Sequence, residues 1–109
     1  MSEDRAPYDD PAPQPGIKIN PYLLFFGSII PNWLLRRSEV SQAAKLTYAR
    51  LMQYAGESGE AYPSQDSLAQ ELGTSERQLR RYLDELEGIG LIGSIQRGLG
   101  QTNSYVFFQ

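Results

Sequence analysis

The stretch from Tyr62 to Leu91, YPSQDSLAQELGTSERQLRRYLDELEGIGL, constrains the fold more than any other part of this 109-residue chain. Ser64 and Ser75 stand where helices would begin, because a serine hydroxyl can accept a hydrogen bond from an early backbone N–H. Gly73 stands where the first helix would end, because glycine readily adopts the left-handed conformation of a helix cap. The stretch therefore predicts two short helices joined by a turn at Thr74.

The second of these helices is predicted to carry leucines on one side and arginines on the other. Its apolar residues recur at the i, i+3, i+4, i+7 spacing of a helix with one buried face. They are Leu79, Tyr82, Leu83 and Leu86. Ser75 to Gln78 also fits the capping-box pattern, in which the Gln78 side chain reaches back to the N–H of the cap residue. Gly88 and Gly90 are expected to stop the helix.

A longer helix is predicted ahead of this pair, within Ser38 to Ala55. Ser41 is its expected N-cap, and Gly56 and Gly59 are expected to end it. Apolar residues follow Ser41 at helical spacing and are predicted to face the core. They are Ala44, Tyr48, Leu51, Met52 and Ala55, with Lys45 and Arg50 lying off the stripe. The corresponding buried stripe of the next helix is Leu68, Ala69 and Leu72.

The pattern changes after the third helix, from helical spacing to the alternation typical of strands. Leu91, Ile92 and Ile95 begin one predicted strand, and Ser104 to Phe108 form a second that is rich in strong β formers. The residues between them, Arg97 to Gln101, include two glycines and predict a turn. We expect a β-hairpin packed beside the third helix.

The segment from Ile17 to Leu35 is apolar and aromatic but has no clean period. Pro21 and Pro31 interrupt it, because proline inside a helix removes a hydrogen bond and clashes with the preceding turn. We expect an extended entry segment over about 18–27 and a short helix beginning near Pro31. Two roles stay open, a flap over the core or a dimer surface, since large exposed apolar patches mark interaction sites. The dimer surface would consist of Tyr22, Leu23, Leu24, Phe25 and Phe26.

Composition narrows the chemistry that the chain can perform. There is no cysteine, and therefore no disulfide and no cysteine metal site. There is no histidine, the commonest metal ligand and neutral-pH acid or base. The sequence shows no nucleophile–base pair and no phosphate-cradling motif. We therefore expect neither catalysis, nor a metal, nor any other cofactor.

Residues 1–16 are acidic and proline-rich and are predicted to form a disordered tail. They offer too little apolar area to offset the entropy lost on ordering, and they lack the basic start and apolar run of a signal peptide. The longest apolar stretch, Tyr22 to Ile30, is too short to cross a bilayer, which requires about 20 apolar residues. These features predict a cytoplasmic protein with no membrane partner.

The net charge of −3 is unevenly distributed along the chain. Residues 1–16 carry −3, residues 17–60 carry +2 and residues 61–109 carry −2. The predicted folded part is thus nearly neutral, and any basic surface that binds a polyanion must be local.

Taken in order, YPSQDSLAQELGTSERQLRRYLDELEGIGLI and a glycine-turn hairpin ending in TNSYVF resemble the winged helix-turn-helix family at the N-termini of plasmid and phage replication initiators. The same module occurs in other bacterial helix-turn-helix regulators. IPNWLL and AKLTYARLMQYAG are similar to the lead-in segment and first helix of that family, so the resemblance covers about residues 31–108. It implies a mainly α fold for residues 17–109, with a three-helix core and a small β-hairpin wing. The wing carries only Arg97, whereas many DNA-binding wings are more basic.

The resemblance implies a DNA interface centred on the third helix. The major groove of DNA admits one α-helix, whose N-terminal half faces the base edges. Arg77 and Gln78 are the candidates for base reading, because arginine can pair with guanine and glutamine with adenine. Gln78 cannot serve fully both the capping box and a base. Arg80 and Arg81 are the candidates for phosphate contact.

Other candidate DNA contacts surround this helix. Free backbone N–H groups at the start of the second helix favour a phosphate there. The full candidate set is Ser64, Gln65, Thr74, Ser75, Glu76, Arg77, Gln78, Arg80, Arg81, Arg97, Gln101 and Asn103. The aromatic residues Trp33, Tyr48, Tyr82 and the terminal phenylalanines are instead expected in the core, because they fall on apolar stripes.

The charges of the third helix allow a plainer interpretation. Arg80 and Arg81 would then form an ordinary solvated face, each paired at i, i+4 with Asp84 or Glu85. The acidic tail is in turn either simply solvated or a competitor with DNA for the basic face.

The leading hypothesis is sequence-specific binding of double-stranded DNA, as origin or iteron recognition by a replication initiator. A transcriptional regulator and a protein-interaction or dimerisation module are the alternatives. So few basic residues predict weak binding by a monomer, and a homodimer or a partner domain is therefore part of the hypothesis. The ending VFFQ, directly after a strand, suggests a further domain C-terminal to Gln109.

Overall fold

The structure, a computed structural model, describes residues 14–96 and 103–108. It is mainly helical with a small antiparallel sheet, which confirms the predicted winged helix-turn-helix class. The helices are α1 (Pro21–Leu24), α2 (Asn32–Leu35), α3 (Gln42–Ala55), α4 (Gln65–Leu72) and α5 (Glu76–Gly88), and the strands are β1 (Glu60–Ala61), β2 (Ile92–Ile95) and β3 (Ser104–Phe107). A short 3₁₀ turn, Gly56–Ser58, follows α3. Among the described residues, no helix is long and apolar enough to cross a membrane.

Three helices, α3, α4 and α5, enclose the core. The predicted helical stripes supply most of its side chains, because residues three or four apart lie on the same helix face. Buried apolar residues include Ala44, Tyr48, Leu51, Ala55, Leu68, Ala69, Leu79, Leu83 and Leu86. Met52, Leu72 and Tyr82 pack against this cluster while remaining partly exposed.

The start of α3 confirms the predicted cap, with one correction to its charged residues. The Ser41 hydroxyl accepts a hydrogen bond from the Ala44 N–H at 3.1 Å, and the helix begins at Gln42. Lys45, predicted to lie off the buried stripe, is only 8% exposed. Its Nζ donates to the Leu35 carbonyl at the end of α2, at 2.9 Å. Periodicity along α3 missed this because the accepting carbonyl belongs to α2, a different element.

Side-chain hydrogen bonds and a salt bridge connect α4 to α3. Arg50 Nε donates to Glu71 Oε1 at 2.7 Å, and the Tyr54 hydroxyl donates to Glu71 Oε2 at 2.5 Å. Desolvation raises the pKa of the Glu71 carboxyl, but the hydrogen bonds from Arg50 and Tyr54 and the Arg50 charge outweigh it, so that the pKa is lowered overall. The pair Arg50–Glu71 therefore helps to hold α4 in place beside α3.

The sheet contains one strand that the sequence did not predict. Its order is β1-β3-β2, and both pairings are antiparallel. Ile92 pairs with Phe107 in the predicted hairpin, and Ala61 of β1 pairs with Tyr105 on the other edge of β3. With two residues, β1 is too short to show an alternating pattern. The predicted turn at 97–101 lies outside the described residues.

The N-terminal segment also differs from its prediction. The extended segment expected over about 18–27 contains the helical turn α1, because the Asn20 side chain accepts a hydrogen bond from the Tyr22 N–H and Pro21 fits the first helical position. The short helix expected near Pro31 is present as α2. No residue of α1 is buried. The part of the segment around α2 does cover the core, because Leu34 is fully buried and Ile30 packs against the core cluster, whereas α1 does not.

Candidate nucleic-acid interface

The turn between α4 and α5 is fixed by the backbone. Gly73 is left-handed, with φ 68° and ψ 34°. Its N–H donates to the Gln70 carbonyl at 3.2 Å, and the Thr74 N–H donates to the Ala69 carbonyl at 2.9 Å. This pair of bonds is the Schellman motif, which satisfies the last carbonyls of a helix and reverses the chain. Gly73 thus confirms its predicted role and sets the direction in which α5 leaves.

The start of α5 shows half of the predicted capping box. The Ser75 hydroxyl accepts from the Gln78 N–H at 3.1 Å. Within the described residues, the Gln78 side chain makes no return bond to the Ser75 N–H, so that part of the prediction is wrong. The exposed amide of Gln78 stays available. The conflict between capping and base reading at Gln78 therefore does not arise.

The face of α5 opposite the core carries two arginines. At 3.6 residues per turn, Arg77 and Arg81 lie about 160–200° around the helix from Leu79, which is fully buried. Both arginines are exposed. Asp84 lies on the same face, one turn further toward the C-terminal end. The positive part of this face is consequently its N-terminal half.

Each flank of α5 is defined by a glutamate that bonds a neighbouring element. Glu87 accepts from the Ser94 hydroxyl on β2 at 2.9 Å. Arg80 lies two turns before Glu87 on the same side, and thus faces the wing. On the other flank, Glu85 accepts from the N–H and the hydroxyl of Ser41, both at 2.7 Å. Gln78 lies on that flank, toward the start of α3.

The ion pairs proposed as the plainer role of Arg80 and Arg81 do not form. Neither arginine contacts Asp84 or Glu85, and neither bonds any other residue in the part of the chain that the structure describes. The Glu85 carboxylate caps α3 instead, which the i, i+4 rule cannot foresee. The salt bridges recorded within the described ranges are Arg37–Glu39 and Arg50–Glu71, at 2.8 and 2.7 Å. The guanidinium groups on α5 are therefore open to an external anion.

The start of α4 is less open than the sequence indicated. The Ser64 hydroxyl accepts from the Ser67 N–H at 3.0 Å, and Gln65 Nε2 donates to the Tyr105 hydroxyl at 3.4 Å. Both residues are half-buried. The acidic Asp66 also lies in this first turn, where its charge opposes a phosphate. Ser64 and Gln65 remain candidates, but weaker ones than the arginines of α5.

The candidates on the wing and in the turn are distributed around α5. Thr74 is half-buried in the turn, and Glu76 is exposed in the first turn of α5. Asn103 is half-buried directly before β3. Arg97 and Gln101 lie outside the described residues.

The aromatic residues expected in the core divide into two groups. Tyr48 is 6% exposed, and Tyr82 and Phe107 are partly buried. Trp33 and Phe108 are 45% and 52% exposed, so the prediction is wrong for these two. They come from opposite ends of the domain, and no single stripe contains both. Only the tertiary structure shows that they face one groove.

Comparisons with known proteins agree with this fold. Residues 39–92 match a protein family described as a helix-turn-helix domain. Comparison with curated proteins gives no match. Two similar solved structures, each 21% identical over 76% of this chain, are described as the N-terminal domain of a DNA-binding protein and as a Rep–DNA complex. Their TM-scores are 0.59 and 0.60, with 74% and 75% of their chains covered. Residues 39–92 are thus similar to a helix-turn-helix domain, and the chain shares the fold of the two solved structures.

Proposed function

We propose that the chain binds double-stranded DNA sequence-specifically, with α5 as the recognition helix in the major groove. The observation that carries this proposal is that the arginines of α5 are exposed and form no ion pair within the described residues. Arg77, Arg80 and Arg81 are exposed. Within the described residues, none of them forms an ion pair with an acidic residue of the same helix. The helix that presents them follows a fixed turn, as recognition helices do in helix-turn-helix proteins.

The N-terminal half of α5 supplies the base-reading side chains. Arg77 can give two hydrogen bonds to guanine, and Gln78, whose amide is not used by the cap, can pair with adenine. Glu76 can accept a hydrogen bond from the amino group of cytosine. Each good contact of this kind discriminates against the wrong base by about 1–3 kcal/mol.

The remaining candidates position the helix on the sugar-phosphate backbone. Arg80 faces the wing and Arg81 faces outward, and both are suited to phosphates because phosphate contacts come mainly from arginine, lysine and backbone N–H groups. Backbone N–H, hydroxyl, amide and guanidinium groups add to these contacts. They come from Ser64, Gln65, Thr74, Ser75, Asn103 and the wing residues Arg97 and Gln101.

The small number of cations favours binding as a homodimer. Lys45 is buried and Arg37 and Arg50 are paired with glutamates, so these three charges are not freely available to DNA. Two copies would double the phosphate contacts and read two half-sites. The proposed dimer surface is the segment Tyr22, Leu23, Leu24, Phe25 and Phe26. Tyr22, Leu23 and Phe26 are 91%, 76% and 71% exposed, as expected of an interaction surface.

Light scattering of the full chain tests the dimer separately from DNA binding. Leu23→Ser is expected to lower the dimer fraction, because it places a polar group in the apolar surface. Leu46→Ser is the matched control, since Leu46 is an exposed leucine on α3. A strictly monomeric wild-type chain would contradict the dimer and leave the DNA interface standing.

We further propose that the DNA is a replication origin, with repeated sites bound by a replication initiator. The sequence resemblance to such initiators motivates this step, and the likeness to the Rep–DNA complex supports the fold on which it rests. A transcriptional regulator with the same interface is the alternative. The chain would act in the cytoplasm as a binding module rather than an enzyme.

Selection of bound sequences from a random duplex pool tests the specific reading. The wild-type chain is expected to enrich one short site. Arg77→Ala is expected to relax the preference at one base pair, while Arg36→Ala, an exposed arginine outside the interface, leaves the site unchanged. If the folded wild-type chain enriched no sequence, specific recognition by α5 would be excluded.

A further inference from the structure

Glu87 is an acidic residue at an unfavourable position of α5. It is half-buried in the last turn of the helix, where the partial negative charge of the free carbonyls disfavours a carboxylate. The contact that Glu87 makes lies outside the helix, because its carboxylate accepts a hydrogen bond from the Ser94 hydroxyl on β2 at 2.9 Å. The residue therefore serves the junction between α5 and the wing rather than the helix itself.

Ser94 belongs to the one pair of wing residues that contacts both α4 and α5 through side-chain hydrogen bonds within the described residues. Its cross-strand partner is Tyr105 on β3, and the side chains of such a pair lie on the same face of a sheet. Tyr105 is buried, and its hydroxyl accepts from Gln65 Nε2 at the start of α4, at 3.4 Å. The bond from Ser94 to Glu87 is shorter and charge-assisted, and is thus the stronger of the two.

The connection between α5 and β2 turns the chain back along the helix. Gly90 is left-handed, with φ 79°, and the Leu91 N–H donates to the Leu86 carbonyl at 3.0 Å. Ser94 follows in β2 and contacts Glu87, seven residues earlier in the chain. β2 therefore runs from the C-terminal end of α5 toward its N-terminal half.

The wing beyond Ser94 is directed toward Arg80. Arg80 lies on the same side of α5 as Glu87, about 10 Å nearer the N-terminal end at 1.5 Å per residue. About three residues of strand cover the same distance. The residues that extend beyond the pair Ser94–Tyr105 are therefore carried toward Arg80. Among the described residues they are Ile95, Gln96 and Asn103.

We propose that Glu87 is a positioning residue for the DNA interface, because its bond to Ser94 fixes the angle between the wing and α5. This inference rests on the proposed binding of DNA by α5 in the major groove. The fixed angle brings the wing against the DNA backbone beside the site that α5 reads. Glu87 acts through Ser94 and does not itself contact DNA, whose phosphates would repel its carboxylate. The wing then adds affinity for base pairs that flank the site and leaves the base preference of α5 unchanged.

Fluorescence anisotropy with two duplexes tests this role. One duplex is limited to the selected site, and the other extends it by flanking base pairs at both ends. The wild-type chain is expected to bind the longer duplex more tightly. Glu87→Ala should lose about two- to tenfold in affinity for the longer duplex, the effect of one hydrogen bond on an equilibrium constant. It should bind the shorter duplex as the wild-type chain does.

Asp84→Ala is the matched control, because Asp84 is an exposed acidic residue of the same helix that makes no side-chain bond within the described residues. Loss of a negative charge close to phosphates ordinarily tightens binding, and Asp84→Ala should tighten binding of both duplexes by about two- to fivefold. Glu87→Ala removes the same charge and is expected to have the opposite effect on the longer duplex. A change of charge alone cannot give this difference in sign.

The other partner of the bond is tested without a change of charge. Ser94→Ala removes the hydroxyl and should show the same loss on the longer duplex, whereas Ser94→Thr keeps a hydroxyl and should restore the wild-type affinity. In the free chain, NMR order parameters of the Ile95 and Gln96 amides should fall in Ser94→Ala. They should not change in Ser38→Ala, which alters an exposed serine outside the wing.

The outcomes separate this proposal from DNA binding itself. Tighter binding of the longer duplex by Glu87→Ala would contradict it, and a loss in Ser94→Ala alone would assign to Ser94 a direct contact with DNA. Equal losses on both duplexes with a lowered urea midpoint would make Glu87 a purely structural residue. Unchanged order parameters in Ser94→Ala would refute a wing held by this bond, whether or not the chain binds DNA. If the wild-type chain bound neither duplex while the order parameters fell as expected, the proposed function would fail and only the structural contact would stand.

Discussion

Replacing Gly73 by alanine should destabilise the turn that sets the direction of α5. An added Cβ at Gly73 would meet no atom within 4 Å, so the cost is purely conformational. At φ 68°, the left-handed conformation costs an alanine about 1–2 kcal/mol. Part of this cost is offset, because alanine reduces the conformational entropy of the unfolded chain, which stabilises the folded state by about 0.4–1 kcal/mol. We expect a net loss of about 1 kcal/mol of the free energy of unfolding.

Gly88 provides a matched control inside α5. Its Cβ would also meet no atom within 4 Å, but its backbone is right-handed helical. Gly88→Ala, at the last residue of α5, should therefore stabilise the protein by about 0.4–1 kcal/mol, because alanine fits this backbone and restricts the unfolded chain. Gly73→Asn should lose less than Gly73→Ala, because asparagine tolerates the left-handed region. The two alanine variants thus differ in the sign of their effect.

Urea unfolding followed by far-ultraviolet circular dichroism measures this difference. With a slope of about 1–2 kcal/mol per molar urea, the midpoints of Gly73→Ala and Gly88→Ala should differ by roughly 1 M. The same slope for all variants would show that stability alone has changed. Equal midpoints for the two alanine variants would refute a turn held by left-handed Gly73.

Two further substitutions test contacts that hold the helices together. Glu71→Gln should lower the free energy of unfolding at pH values above the ordinary carboxyl pKa of 4.5. This loss should shrink as the pH falls below 4.5, because the folded state lowers the pKa of Glu71 and protonation removes the stabilisation that the carboxylate provides. Urea midpoints from pH 7 to pH 3 check this, with the exposed Glu57→Gln as control, and a pH-independent difference would contradict it. Glu85→Gln should lower the free energy of unfolding at pH 7 by about 1 kcal/mol, and with it the urea midpoint, because the two hydrogen bonds from Ser41 lose their charge assistance. An unchanged midpoint would mean that Glu85 does not cap α3.

Features set by neighbouring residues could be predicted from the sequence. Ser41, Ser64 and Ser75 each cap a helix as expected, because a cap depends only on the next three residues. The leucine stripe of α5 and its closing turn at Gly90 follow from the same short-range rules. These local signals were sufficient for the fold class and for the helix that presents the arginines.

Features that join distant segments could not be predicted. β1 exists only because Ala61 meets Tyr105, and the burial of Lys45 depends on the carbonyl of Leu35. Glu85 bonds Ser41, 44 residues away, instead of its helical neighbour Arg81. This last contact leaves Arg81 free. The sequence therefore identified the candidate cations, whereas only the structure shows which of them are unpaired.

The most direct measurement of the central claim is the salt dependence of DNA affinity. Fluorescence anisotropy on a selected duplex gives the slope of log K against log salt for wild type and for Arg80→Gln/Arg81→Gln. Each lost phosphate contact should reduce the slope by about 0.9, so the double variant should lose about 1.8 for each copy of the chain that is bound. Arg36→Gln should keep the wild-type slope. Identical slopes for wild type and the α5 double variant would contradict a DNA interface built on that helix.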